Sequence, residues 1–176
     1  SQGARHNGRA AGSFGLAAGT SFYPGKNLGA AGDAGAVLSS DADVARQVRV
    51  LAAHGSAHKY DHEVVGVNSR LDAVQAVVLS AKLKRLDAWN AARRAAAARY
   101  AELLDGVDGV RAPVSAEGNE DVWHLYVVQV DERDRVLATL NAAGIGAGIH
   151  YPTPIHLTGA YESLGFGTGS FPVAEA

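Results

Sequence analysis

The sequence predicts an α/β fold, and three observations predict it. Residues 19–37 read as strand, sharp turn and second strand, followed by a capped helical run over 42–53. Leu71–Leu104 is rich in Ala, Leu, Lys and Arg and contains neither Gly nor Pro, which predicts one long helix. Residues 122–149 then give strand, helix and strand, the order of a small α/β layer.

Composition limits the function. The chain has 176 residues, 47% hydrophobic and 19% charged, as suits a folded chain rather than a disordered one. A net charge of −2 gives no electrostatic reason to expect nucleic acid or an anionic membrane as partner. No run of about 18 apolar residues occurs, so no membrane span is expected. With no cysteine, disulfides and thiolate metal sites are excluded. A cytoplasmic address is the expectation.

Asn7-Gly8 is a strong hairpin signal after the polar start. Thr20, Phe22 and Tyr23 are strand formers, and Pro24-Gly25 marks a turn in which Gly accepts positive φ. Lys26 follows at once, and glycines at 25, 29, 32 and 35 form a flexible track. A lysine there is either solvated or a Schiff-base nucleophile, and spacing alone does not choose. Ser39-Ser40-Asp41 caps the helix over 42–53, which His54-Gly55 ends.

His58 to Glu63 is a dense polar loop. His58 and His62 stand four apart beside carboxylates, but no third ligand follows at a recognisable spacing, so no metal is expected. Asn68 or Ser69 caps the next helix. In that helix the basic residues mix with Ala and lack interleaved aromatics, which marks a solvated face rather than a nucleic-acid surface. Val122 to Val130 reads as a strand, Asp131 as a helix cap, Gly144 as its stop, and Ile145 to Ile149 as a second strand. Two prolines force an extended path through His150 to His156, and Leu157 to Leu164 reads as a short helix.

The stretch Gly19 to Val37 resembles the lysine segment of the DegT/DnrJ/EryC1/StrS sugar aminotransferases. Four further blocks resemble that family in order: His54 to Tyr60, Gly66 to Gln75, Trp123 to Val128 and Gly144 to His156. The resemblance implies a type I aminotransferase fold: residues 1–88 as the second half of the cofactor-binding large domain, and 89–176 as an incomplete small C-terminal domain, divided near Trp89. Family members are roughly twice as long, so an internal segment, inactive alone, is the expectation.

The resemblance also implies the chemistry. Lys26 would hold pyridoxal phosphate as a Schiff base and carry the proton in transamination. Ser21 would donate to the cofactor phosphate and Gln2 would bind its phenolic oxygen. Asn68 would cross a homodimer interface to the partner's phosphate, giving shared active sites. Lys59, Tyr60, Arg70, His150 and Tyr151 would contact substrate. The implied reaction moves an amino group from glutamate to a keto sugar on a nucleotide diphosphate, with wording closest to members acting on dTDP-3-keto-6-deoxyhexoses. Members with histidine in place of the lysine dehydrate instead, and Lys26 argues against that branch. An aminocyclitol or aminoshikimate-type ketone as substrate, a non-catalytic regulator and an inactive fragment are the alternatives.

Overall fold

Asn7 and Gly8 take positive φ of 47° and 75°, and this two-residue turn joins strands β1 (Arg5–His6) and β2 (Arg9–Ala10). The computed structural model describes residues 2–175. Beyond the hairpin come β3 (Ala18–Ser21), β4 (Gly35–Leu38), α1 (Ala42–Ala52), β5 (Ser56–His58), β6 (Asp61–His62), α2 (Ala73–Leu83) and α3 (Leu86–Leu104). There follow β7 (Val110–Arg111), β8 (Asn119–Glu120), β9 (Gln129–Val130) and α4 (Arg133–Ala142). Two 3₁₀ turns (Ile155–Leu157 and Gly159–Leu164) and α5 (Pro172–Glu175) complete the order. The chain forms two compact units. One runs to Val107 and takes in Ala112–Tyr126; the other is Asp108–Arg111 with the chain from Val127 on. The division expected near Trp89 falls inside α3, within the first unit.

In the first unit β3 and β4 pair antiparallel, with Ser21 opposite Gly35 and Gly19 opposite Val37. The chain between them carries the turn. Lys26 N donates to Tyr23 O at 2.9 Å across Pro24-Gly25. Gly25 does not take the positive φ expected of it, and neither do Gly29, Gly32 or Gly35. The last three serve close approach: a Cβ on Gly29 would overlap the Pro24 carbonyl, one on Gly32 would press on the Gln75 amide, and one on Gly35 would sit 3.0 Å from Thr20 O. Asn27, Leu28, Gly29 and Ala30 are all buried, so the middle of the track is packed core, while Gly25 and Gly35 at its ends are exposed.

Leu28 and Ala30 form the core cluster with Leu79 of α2 and Leu86 of α3, and Phe22 and Ala34 pack against it. Helix α2 also grips the track with polar atoms. Lys82 Nζ donates to Gly29 O at 2.7 Å and Gln75 Oε1 accepts from Ala31 N at 2.8 Å. These two residues stand seven apart, hence on one helix face.

Helix α1 matches its prediction, with Asp41 accepting from the amides of Asp43 and Val44. Three other expectations are corrected. Residues 71–104 form two helices, because the chain tightens at Lys84-Arg85, where Arg85 N bonds Lys82 O at 2.9 Å. Neither Asn68 nor Ser69 caps α2; Asp72 occupies that position, and Asn68 bridges back to Ala53. The strand expected over 122–130 shrinks to β9, since Trp123 has φ of 45° and the carbonyls of Val122 and Trp123 are taken by side chains.

In the second unit β7 and β9 pair antiparallel. Ile145 to Ile149 forms no strand; Asn141 instead binds the backbone of Ala147 through both ends of its amide. Glu175 gathers the end of this unit, accepting from Gly169 N at 2.6 Å and Phe171 N at 3.0 Å. Those two amides hold its carboxyl below the usual carboxylate value, and His156 Nε2 at 2.9 Å adds to the pull. A depressed carboxyl stabilises above its ordinary pKa and loses that stabilisation as pH falls through the depressed value. The protection factor of the Gly169 amide, its exchange rate corrected for the intrinsic pH dependence, is therefore expected to fall on acidification, and Glu175→Gln to remove that fall while lowering protection several-fold at neutral pH. An unchanged acid profile in the variant would overturn this.

Candidate active site

Lys26 is placed by what surrounds it in sequence. The Pro24-Gly25 turn precedes it, and Asn27 beside it is only 6% exposed. Asn27 Nδ2 donates to Asn90 Oδ1 at 2.9 Å and to Val122 O at 2.8 Å. Asn90, 2% exposed, in turn donates to Gln2 O at 3.0 Å. A Cβ on Gly3 would overlap the Asn90 amide, so Gly3, at φ of 93°, lets the first segment close onto α3. Two buried amides thus tie together the Gln2 segment, the lysine turn, helix α3 and the Val122 segment.

A cavity of about 190 Å³ opens at this junction, lined by Gln2, Gly19, Thr20, Ser21, Lys26, Asn27 and His124. It brings Lys26, Ser21 and Gln2 together. Ser21 Oγ accepts from Tyr23 N at 3.2 Å, which leaves its hydroxyl hydrogen for an anion. Gln2 Nε2 donates to Thr20 Oγ1 and to Ser21 O, both at 2.8 Å. A carbonyl only accepts, so this fixes the amide's orientation, and both its hydrogens are spent. Gln2 therefore offers the cavity its Oε1, an acceptor. Asn27 Oδ1 is buried without a hydrogen-bond partner.

These groups fit pyridoxal phosphate. An amine suits its aldehyde, hydroxyl donors suit its phosphate, and the orphaned Asn27 oxygen is the kind of buried acceptor that a bound polar group satisfies.

Sequence reasoning missed one residue. Lys26 Nζ lies 3.5 Å from His124 Nε2. His124 sits in the Trp123 to Val128 block, but an isolated histidine carries no local signature of a partner 98 residues away.

The other candidates do not line this cavity. Asn68 and Arg70 line a second, larger cavity of about 1010 Å³, which also borders Gly19, Thr20 and Ser21. They bond each other, Arg70 Nε donating to Asn68 Oδ1 at 3.0 Å. Ser21 thus faces both cavities. Lys59 and Tyr60 form the β5–β6 turn, with the Lys59 ammonium 4.9 Å from the Tyr60 ring centroid, and line neither cavity. His150 and Tyr151 belong to the second unit, their rings 5.0 Å apart. No described helix is long and apolar enough to cross a membrane.

Comparison with known proteins agrees with this geometry. The sequence profile of the DegT/DnrJ/EryC1/StrS aminotransferase family matches residues 1–176. The chain is 49% identical over 174 residues to the erythromycin biosynthesis sensory transduction protein EryC1 of Saccharopolyspora erythraea, covering 99% of this chain and 48% of that protein. It is 47% identical to a dTDP-3-amino-3,4,6-trideoxy-alpha-D-glucose transaminase of Streptomyces venezuelae, covering 99% of this chain and 46% of that one. The crystal structure of DesV from S. venezuelae, in complex with a ketimine intermediate, superposes with a TM-score of 0.95 at 47% identity, over 98% of this chain and 47% of that one. A family aminotransferase from Brucella abortus superposes with a TM-score of 0.93 at 39% identity, over 100% of this chain and 47% of that one. The chain spans about half the length of the relatives it matches. Profile and similarity together place this chain in the DegT/DnrJ/EryC1/StrS aminotransferase family.

Proposed function

We propose that the protein carrying this chain is a pyridoxal-phosphate-dependent aminotransferase. It moves an amino group from glutamate to a keto sugar on a nucleotide diphosphate, a dTDP-3-keto-6-deoxyhexose, in the cytoplasm and as a homodimer with shared sites. The observation that carries the reading is the meeting of Lys26, Ser21 and Gln2 on one cavity. The relatives support the substrate class: several are named as transaminases of dTDP-3-amino sugars, and one as a 3-aminotransferase of a UDP sugar.

Bound pyridoxal phosphate supplies an aldehyde and an electron sink. The chain's own residues do the rest. Lys26 presents Nζ as nucleophile and afterwards takes and returns a proton at the substrate carbon. Ser21 donates to the phosphate through its remaining hydrogen. Gln2 would accept a hydrogen bond at Oε1 from the cofactor's ring hydroxyl. Asn68 reaches the partner's phosphate, with Arg70 orienting its amide through their mutual bond. Lys59, Tyr60, His150 and Tyr151 contact the nucleotide sugar.

A regulatory reading has one observation in its favour: two relatives are named a sensory transduction protein and a pleiotropic regulatory protein. One experiment separates the readings. The full-length polypeptide is incubated with pyridoxal phosphate, reduced with borohydride and mapped by peptide mass spectrometry, then assayed with glutamate and the keto sugar. A pyridoxyl group on Lys26 with amino sugar formed is expected. An adduct on Lys26 without amino transfer to the keto sugar or to an aminocyclitol or aminoshikimate-type ketone selects the regulator, and an adduct on another lysine overturns the assignment of Lys26.

A further inference from the structure

We propose that His124 is a positioning residue for Lys26, accepting a hydrogen from Nζ at its own Nε2 and so holding the amine inside the cavity. The proposal rests on the reading of Lys26 given above.

Three observations support it. The separation is 3.5 Å, at the edge of hydrogen-bond reach, and the contact is partly buried. Of the seven residues lining this cavity only Lys26 and His124 titrate. The backbone leading into His124 is fixed at the two residues before it. Val122 is 2% exposed and its carbonyl is held by Asn27, the neighbour of Lys26 itself. Trp123, at φ of 45°, gives its carbonyl to Arg93 Nη1 of α3 at 3.1 Å. The lysine turn and the histidine segment thus share one anchor, and a shift in either moves both.

The chemistry follows. A four-carbon lysine stem has many rotamers, and an amine that wanders reacts slowly because it reaches its target carbon rarely. An acceptor beside Nζ narrows that range. An imidazole can fill this role only while its Nε2 keeps its lone pair. Arg93 of α3 donates through Nη1 to the carbonyl of the residue before His124.

The test compares wild type, His124→Ala and His124→Gln in the full-length polypeptide. Glutamine restores an acceptor at about the distance of Nε2. Each protein is exposed briefly to pyridoxal phosphate and reduced with borohydride. In this trap the amine attacks the aldehyde carbon, water leaves, and hydride adds to the carbon. Peptide-resolved mass spectrometry gives the rate at Lys26 and, as internal control, at Lys59, Lys82 and Lys84. Loss of one net hydrogen bond predicts a fall of about five-fold at Lys26 in the alanine variant. The glutamine variant is expected to recover most of it, with the other lysines and the melting temperature unchanged. Equal rates at Lys26 in all three proteins overturn the positioning role alone. A parallel fall in both variants with a lowered melting temperature makes His124 merely structural and also overturns it. Trapping of wild type away from Lys26 overturns the functional reading and this proposal with it.

Discussion

Lys26→Ala is expected to lower amino transfer to a nucleotide-linked 3-keto sugar by at least about ten-thousand-fold, because one side chain supplies both the nucleophile and the proton carrier. The measurement is the amino sugar formed from glutamate and the keto sugar, quantified by mass spectrometry. Folding should survive. The Lys26 side chain approaches His124 at 3.5 Å, the edge of hydrogen-bond reach. The main chain that builds the turn, Lys26 N to Tyr23 O, is untouched by the substitution. Lys26→Arg serves as a second variant: it keeps the charge, but a guanidinium does not give up its proton, so it too is expected to be inactive. Activity within ten-fold of wild type in either variant would end the assignment.

The second large effect is on stability. Asn90→Leu is expected to destabilise the protein by about 3 kcal/mol, measured by urea unfolding. The substitution keeps the volume but removes the acceptor for Asn27 Nδ2 and the donor to Gln2 O. Leaving a buried polar group without its partner costs about 1–3 kcal/mol; Asn27, 6% exposed, keeps only its bond to Val122 O, and the partly buried Gln2 carbonyl loses its donor. The same variant should slow trapping at Lys26, because the Gln2 segment and the lysine turn lose their common tie. A loss below about 0.5 kcal/mol, the level of an ordinary surface change, would show that the amide chain carries little.

Much of the local structure was legible. Asn7-Gly8 gave its turn type away, since both positions require positive φ. Asp41 announced α1 because a short carboxylate before a helical run has few other uses. The lysine turn was legible in Pro24-Gly25-Lys26, although Gly25 takes no positive φ and Gly29, Gly32 and Gly35 beyond it serve close packing. What failed was whatever depends on distant partners. Val122 to Val130 has strand composition, yet its carbonyls belong to Asn27 and Arg93. The break at Lys84-Arg85 has no Gly or Pro to mark it; Leu79 and Leu86 still point into one core on either side of it. Of the site, Lys26, Ser21 and Gln2 were legible through family resemblance, while His124 became visible only once the chain had folded beside Lys26.

The ties among Gln2, Asn27, Asn90, Val122, Lys26 and His124 span 63, 88, 95 and 98 residues. Closing loops of that size costs chain entropy before any of these bonds forms. During synthesis the lysine turn leaves the ribosome long before the segment that completes its cavity. Local pieces such as the first hairpin and α1 need no such wait. Lys26 is therefore exposed to solvent early and enclosed late, and the cavity proposed to take the cofactor closes late in the life of the nascent chain.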